Sequence, residues 1–337
     1  MADGARPADL AETQEASYLQ VHAEEIAAAA RRIAPHVRRT PLLTTDLDPR
    51  LRLKPECFQV TGSFKVRGAF NAVLQLKERT PPPRGVIAVS SGNHAQALAL
   101  AARTASLTAL ILIPEDANPA KVAATRSLGA EVLQAGITFE NREQRLREVM
   151  AERGLTLVHP FDDWDIIHGQ ATAAREVLED DPEVAAILAP TGGGGLLSGT
   201  ALAAKIHRRD TLVIGVEPER ADDAQRSFRS GAIQTLPSSP QTLADGVRTT
   251  AIGRRNFEVM VERRLVDDIV TVSEEEIERA LVTAWLKLKL ALEPTAALPL
   301  AAYLAGKAPP AEASPVGLIL SGGNFDQAVV ARLLGSA

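Results

Sequence analysis

Short runs of β-branched and aliphatic residues alternate with longer stretches of helical character through most of the chain. Gly85–Val89 reads as a buried strand, His94–Arg103 as the helix after it, and Leu110–Ile113 as the next strand. A helix over Pro119–Leu128 follows, with Pro119 suited to a first helical turn. Val132–Leu133, a helix near Glu140–Arg153 and Leu155–Val158 continue the rhythm. A second series sets Ala185–Ala189 as strand, Gly195–Arg208 as helix and Leu212–Val216 as strand. The chain closes with helices over Ser273–Leu290 and Thr295–Leu304, a strand over Val316–Leu320 and a helix over Phe325–Leu334. Strands spaced by helices of ten to fifteen residues imply parallel sheets covered on both faces, an α/β fold of two open doubly wound sheets. Ahead of this pattern, residues 1–20 read as a loose terminal arm and Glu24–Val37 as an alanine-rich helix. Leu236–Pro240 reads as a surface loop, and no internal repeat is evident.

Composition narrows the class. The 337 residues suffice for a large core and suggest two domains, and 45% hydrophobic with 23% charged residues is ordinary for a globular protein. A net charge of -5 argues against nucleic acid as a partner. The most apolar run, Ala95–Pro114, is broken by Arg103, Thr104 and Ser106, so no membrane span is expected. A lone cysteine, Cys57, excludes an intrachain disulfide, and the polar start is unlike a signal peptide, so a cytoplasmic location is expected.

Charge type then points to one residue. There are eight lysines against twenty-nine arginines, and only lysine can lose its proton and condense with a carbonyl. Lys65 lies between Phe64 and Val66 in Gln59-Val-Thr-Gly-Ser-Phe-Lys-Val-Arg-Gly-Ala69. Four glycines, Gly192, Gly193, Gly194 and Gly195, sit between a strand and a helix, where converging N–H groups and the helix N-terminus suit a phosphate. The nucleotide P-loop and dinucleotide fingerprints are both absent there. Ser90-Ser91-Gly92-Asn93-His94 opens the helix after another strand; it suits a carboxylate or phenolate, or it is an ordinary N-cap. Ser321-Gly322-Gly323-Asn324 follows a third strand, where a serine could bond a heterocyclic nitrogen or merely make a turn. Carboxylates six apart, Glu217 and Asp223, could bind a hard divalent cation with a carbonyl between them, or form a solvated acidic loop. His36, His159, His168 and His207 read as structural or surface residues.

Together and in this order, these segments resemble the serine racemase and serine/threonine dehydratase group of fold-type-II pyridoxal-phosphate enzymes, relatives of the tryptophan synthase β fold. The likeness runs from about residue 20 to 335 and includes His159-Pro-Phe-Asp-Asp163, Gly169-Gln170, Ala244-Asp-Gly-Val247 and Glu293-Pro294. It implies that Lys65 carries pyridoxal 5'-phosphate as a Schiff base and later acts at the substrate α-carbon. Phe64 would pack beside the cofactor, Gly192–Gly195 hold its phosphate, Asn93 bond its phenolic oxygen and Ser321 its ring nitrogen. Ser90, Ser91, Asn93 and His94 would shape the substrate carboxylate pocket. Glu217, the Ala221 carbonyl and Asp223 would hold Mg2+, or Ca2+ or Mn2+. A small mobile domain, 85–161, would close over a large one made of 1–84 and 162–337, and the enzyme would be a homodimer.

The implied reaction is α,β-elimination from L-threonine or L-serine, giving 2-oxobutanoate or pyruvate with ammonia. Serine racemisation and 3-hydroxyaspartate dehydration are the alternatives, and a regulator that binds the cofactor without catalysis is a reading of another class. Ser91 is the serine that racemases place opposite the lysine, whereas Phe161-Asp162-Asp163 has the dehydratase form. Trp164 and His168 stand where such enzymes usually carry proline and a small residue.

Overall fold

The structure, a computed structural model, describes residues 7–117, 119–138, 140–308 and 314–335. Among these residues, nine strands form two sheets in which every pairing is parallel. The smaller sheet is built from β2 (Gly85–Val89), β3 (Thr108–Leu112), β4 (Glu131–Leu133) and β5 (Thr156–Leu157), in the order β4-β3-β2-β5. The larger contains β1 (Leu51–Pro55), β6 (Ala186–Pro190), β7 (Leu212–Pro218), β8 (Asp268–Val272) and β9 (Val316–Leu320), in the order β1-β9-β6-β7-β8.

Both sheets are covered on both faces, which is why their strands read as near-continuous apolar runs. Along β6, Ala186 and Leu188 enter one core cluster while Ile187 and Ala189 enter the cluster across the sheet. Along β2, Val86 and Ala88 face one cluster and Ile87 the other. Period-two alternation therefore survives, but both destinations are apolar.

Two strands escape the hydrophobic pattern. β1 carries Arg52 and Lys54, yet Lys54 is fully buried because its amine reaches Glu176 Oε2 at 2.6 Å and the Thr40 carbonyl at 2.6 Å. β8 begins at the exposed Asp268 and lies at the sheet edge beside β7. The expected terminal arm is corrected too: residues 1–6 lie outside the described residues, but Pro7–Ile33 is one helix. Its buried positions Leu19, His22, Ile26, Ala29 and Ile33 recur at steps of three and four, a single face that docks on the Trp164–Asp180 and Gly195–His207 helices. The Ser273–Leu290 helix is shorter than expected: Ser273 and Glu276 form a capping box, the α-helix ends at Thr283, and a π turn covers Ala284–Leu288.

The unusual pair Trp164 and His168 has a structural explanation. His168 Nε2 and His22 Nδ1 are 2.8 Å apart, Trp164 stacks on His168, and Tyr18 meets His22 edge-on. Trp164 and His168 thus fasten the N-terminal helix to the segment that follows Phe161–Asp163. Burial, then the neighbouring Arg263, drives the His22 pKa down to about 4, and burial, then His22, drives that of His168 down to about 3. Among the described residues, no helix is long and apolar enough to cross a membrane.

Candidate active site

The carboxyl ends of β2, β6, β7 and β9 release the Ser90–His94, Thr191–Gly195, Glu217–Asp223 and Ser321–Asn324 segments, the position where open α/β sheets bind ligands. Lys65 arrives from β1 through a tight turn that is stitched to the β9 end. Phe64 N donates to Ser321 O at 3.0 Å, Gly323 N donates to Gly62 O at 2.9 Å, and Ser63 bridges Gly322. Gly62 holds φ at +72°, and a Cβ there would lie 2.5 Å from Asn324 Oδ1, so only glycine lets the two segments meet.

Lys65 is the first residue of the Lys65–Glu78 helix and stays partly open to the cleft. Its Nζ donates to Pro160 O at 2.8 Å and lies 5.2 Å from the Phe64 ring centroid. Burial lowers the Lys65 pKa to about 8, with the nearby Glu293 carboxylate opposing the shift. An amine so poised is partly unprotonated near neutral pH and is therefore a nucleophile. Two residues on, the buried Arg67 clamps Glu56 and Glu176 and fixes the first turn of the lysine's helix.

The tetraglycine segment has no side chain to obstruct the N-terminus of the Gly195–His207 helix, whose first-turn N–H groups lack intrahelical acceptors. Gly194 adopts φ +99°. A Cβ on Gly193 would come within 2.3 Å of the Phe161 ring. The Gly193 carbonyl accepts from Asn256 Nδ2 at 2.9 Å and from Gly253 N at 3.0 Å, while Asn256 Nδ2 also reaches Phe161 O at 3.1 Å. Asn256 and Phe161 therefore shape this loop, although Asn256 belongs to no motif and Phe161 has only the standing of a family marker in the sequence.

Ser90 and Asn93 are half-buried and Ser91 is exposed. Asn93 donates from Nδ2 to Glu293 Oε1 at 2.8 Å and accepts at Oδ1 from Asn324 Nδ2 at 2.8 Å. His94 is buried; its Nε2 lies 3.0 Å from the Val158 carbonyl, and its Nδ1 has no partner among the described residues. Burial, then the Lys65 charge, pushes the His94 pKa down to about 3, so the ring is neutral. The Ser321 hydroxyl is buried without a hydrogen-bond partner among the described residues. Sequence reasoning misses Glu293 as a site residue: it is buried among these groups, and burial followed by Asp245 raises its pKa to about 7. Across the cleft mouth, Lys121 from the smaller sheet's side pairs with Asp245.

Glu217 and Asp223 are both fully buried. Glu217 accepts from Ala224 N at 3.2 Å and Gln225 N at 2.9 Å, but neither Asp223 oxygen has a partner among the described residues. Burial, then Asp223, pushes the Glu217 pKa well up; burial also raises that of Asp223 to about 7. Among the described residues no three His, Cys, Asp or Glu side chains gather as a metal cluster, so Glu217 and Asp223 offer two carboxylates with the buried Ala221 between them.

An orphaned hydroxyl at Ser321, a helix N-terminus preceded by a glycine-only loop and a low-pKa lysine on the turn bonded to the β9 end fit a phosphorylated pyridine aldehyde. The fold and this site define a pyridoxal-phosphate-dependent enzyme of fold type II. Residues 33–322 match the family described as pyridoxal-phosphate dependent enzyme, and the chain belongs to it. Within that family its likeness is to the serine racemase and dehydratase group. It is 43% identical over 311 residues to the L-threo-3-hydroxyaspartate ammonia-lyase of Saccharomyces cerevisiae, covering 91% of this chain and 94% of that one. To the serine racemase of Schizosaccharomyces pombe it is 41% identical over 308 residues, covering 90% and 94%. The crystal structure of a T.th. threonine deaminase superposes with a TM-score of 0.84 at 47% identity, covering 90% of this chain and 98% of that one.

Proposed function

We propose that the enzyme carries out α,β-elimination on L-threonine and/or L-serine: the β-hydroxyl leaves as water, water is taken back as ammonia is released, and the net products are ammonia with 2-oxobutanoate or pyruvate. The observation that carries this reading is the Lys65 amine, softened to a pKa of about 8 and borne on the turn whose Phe64 N–H is bonded to the Ser321 carbonyl. Lys65 would hold pyridoxal phosphate through Nζ and, once substrate has displaced it, take the α-proton at that atom. The bound cofactor supplies a sink for the electrons left behind when the α-proton departs.

Gly192–Gly195 would bind the phosphate through backbone N–H groups and the helix dipole. Phe64 would pack beside the ring, and Asn93 would donate to the ring hydroxyl oxygen. Ser321, a neutral partner for the ring nitrogen, keeps the ring less protonated than an acidic residue would, which favours prompt loss of a β-hydroxyl. First-turn N–H groups and hydroxyls of Ser90, Ser91, Asn93 and His94 would hold the substrate carboxylate. Glu217, the Ala221 carbonyl and Asp223 would hold Mg2+ or a similar hard cation, whose charge would relieve two buried carboxylates. Residues 85–161 would move as the smaller unit of a homodimer working in the cytoplasm.

Two further outcomes have specific support. Ser91, exposed beside Asn93, could serve as the second proton carrier that racemisation of serine requires. One relative is an L-threo-3-hydroxyaspartate ammonia-lyase, which supports that substrate, but its distal carboxylate would need a cation, and Lys121 at the cleft mouth is already paired with Asp245. Purified holoenzyme with Mg2+ is assayed on all three substrates for keto acid, ammonia and inversion. Release of 2-oxobutanoate and pyruvate supports elimination; a protein inert with L-threonine and L-serine rejects it. Borohydride reduction is expected to label the peptide containing Lys65.

A further inference from the structure

Four segments of the site are joined by a hydrogen-bond chain whose direction is fixed at one end. The Thr61 carbonyl can only accept, and it accepts from Asn324 Nδ2 at 2.8 Å, so the Asn324 amide must present its nitrogen there. The same nitrogen donates to Asn93 Oδ1 at 2.8 Å. Asn93 must then turn its own nitrogen the other way, and it donates to Glu293 Oε1 at 2.8 Å. No amide flip is consistent with this order. One Asn93 N–H is left without an acceptor among the described residues.

We infer that Glu293 is a positioning residue: with Asn324 it fixes the amide plane of Asn93, leaving a single N–H of that amide to meet the cofactor's ring hydroxyl oxygen. The inference rests on the cofactor site proposed above. Glu293 is well suited to the task, being buried and supported by the Asn324 backbone N–H. Charged or titratable groups face it from several elements: Asp245 and Lys121 at the cleft mouth, Lys65 on its helix, and Cys57 in the preceding turn.

The test measures the dissociation constant for pyridoxal phosphate in reconstituted apoprotein. Glu293→Ala is expected to weaken binding about tenfold, the loss typical of one hydrogen bond to a charged group. Asn324→Ala should act in the same direction. In an Asn93→Ala background, Glu293→Ala should add less than about twofold, because its effect passes through Asn93. An unchanged constant in Glu293→Ala overturns the inference, as does an equal loss in both backgrounds.

Glu293→Gln keeps an acceptor oxygen and covers the case in which the alanine variant fails to fold. Its constant relative to wild type should be several-fold weaker above pH 8 and converge with wild type below pH 6, where Glu293 is protonated in the parent. Glu293→Gln also removes the charge that holds the Lys65 pKa up, so the Lys65 ionisation is measured in each protein and the ratio is corrected for it. A ratio of one throughout pH 6 to 9 overturns the inference. Borohydride labelling in the same preparations separates the two possible failures. If Lys65 is unlabelled, the cofactor site itself is wrong; if it is labelled and the variants match wild type, only the role of Glu293 is lost.

Discussion

Two pairs of buried or half-buried carboxylates lie in the half of the molecule built on the larger sheet, and the chain treats them in opposite ways. Glu56 and Glu176 are met by two buried cations. Arg67 grips both, with Nε to Glu56 Oε2 at 2.8 Å and Nη1 to Glu176 Oε1 at 2.7 Å, and Lys54 reaches Glu176 at 2.6 Å. Thr40 Oγ1 completes the set by donating to Glu56 Oε1 at 2.6 Å. Burial works against the Glu56 charge, yet Arg67, Thr40 and Lys54 together hold its pKa below the usual carboxylate range. Glu217 and Asp223 have no such cation among the described residues, and both are pushed the other way. The first pair is finished by the polypeptide and serves as scaffold for Lys65. The second is unfinished, and a partner of the opposite charge would complete it.

Removing the cation from the finished pair should therefore have the largest effect. Arg67→Met leaves Glu56 and Glu176 with Lys54 alone and should lower stability by about 3–5 kcal/mol, the range for breaking a buried ion pair from one side. Equilibrium urea unfolding measures it, and a loss below about 1 kcal/mol would mean that the cluster is no scaffold for the lysine's helix.

The unfinished pair should respond to added charge from solution. Asp223 has a raised folded-state pKa of about 7, so its contribution is full below the unfolded value and is lost as pH rises through 7. Glu217 shifts in the same direction. Chelated protein should accordingly lose stability between pH 6 and pH 8, and Mg2+ or Ca2+ should restore it more at pH 8 than at pH 6. At a hundredfold excess over Kd the gain is about 2.7 kcal/mol. Calorimetry with and without chelator reads it, and equal melting at both pH values with and without cation would refute it. Asp223→Asn is a smaller step that sharpens the same contrast. With one of the like charges removed, the chelated variant should gain about 1 kcal/mol at pH 8 and cease to respond to cation.

What the sequence disclosed and what it withheld divide along the same line of local against distant cause. The lysine, tetraglycine, Ser90–His94 and Ser321–Asn324 segments were legible because each is a strand–turn–helix signal within about ten residues. The apolar runs of β2, β6 and β9 were legible for the same reason. β1 was not, because Lys54 is tolerated in a buried strand only through Glu176, far along the chain. The first helix was legible only from Glu24 onward; its earlier turns were missed because their inward face is dilute, His22 counting as polar until His168 and Trp164 are seen against it. Glu293 has no local mark beyond the proline after it; its meaning lies in Asn93, two hundred positions away.

A third ion pair, Lys121 with Asp245, belongs to neither class, and its expected effect on stability is the smallest. Both side chains are partly exposed, at 22% and 38%, so solvent screens the attraction and its removal should change unfolding by less than about 1 kcal/mol. Its influence on Glu293 is a separate matter, since Asp245 raises the Glu293 pKa and Lys121 lowers it. Lys121→Ala should therefore move the ionisation near pH 7 upward, Asp245→Ala should move it downward, and the double variant should return it close to the parent value. The pH dependence of cofactor binding, compared with Glu293→Gln, supplies the measurement. If both single variants shift the profile the same way, the pair acts by holding the cleft together and not through its field on Glu293. If they shift it oppositely while unfolding is unmoved, an exposed ion pair too weak to stabilise the fold still sets the charge state of a buried carboxylate beside the lysine.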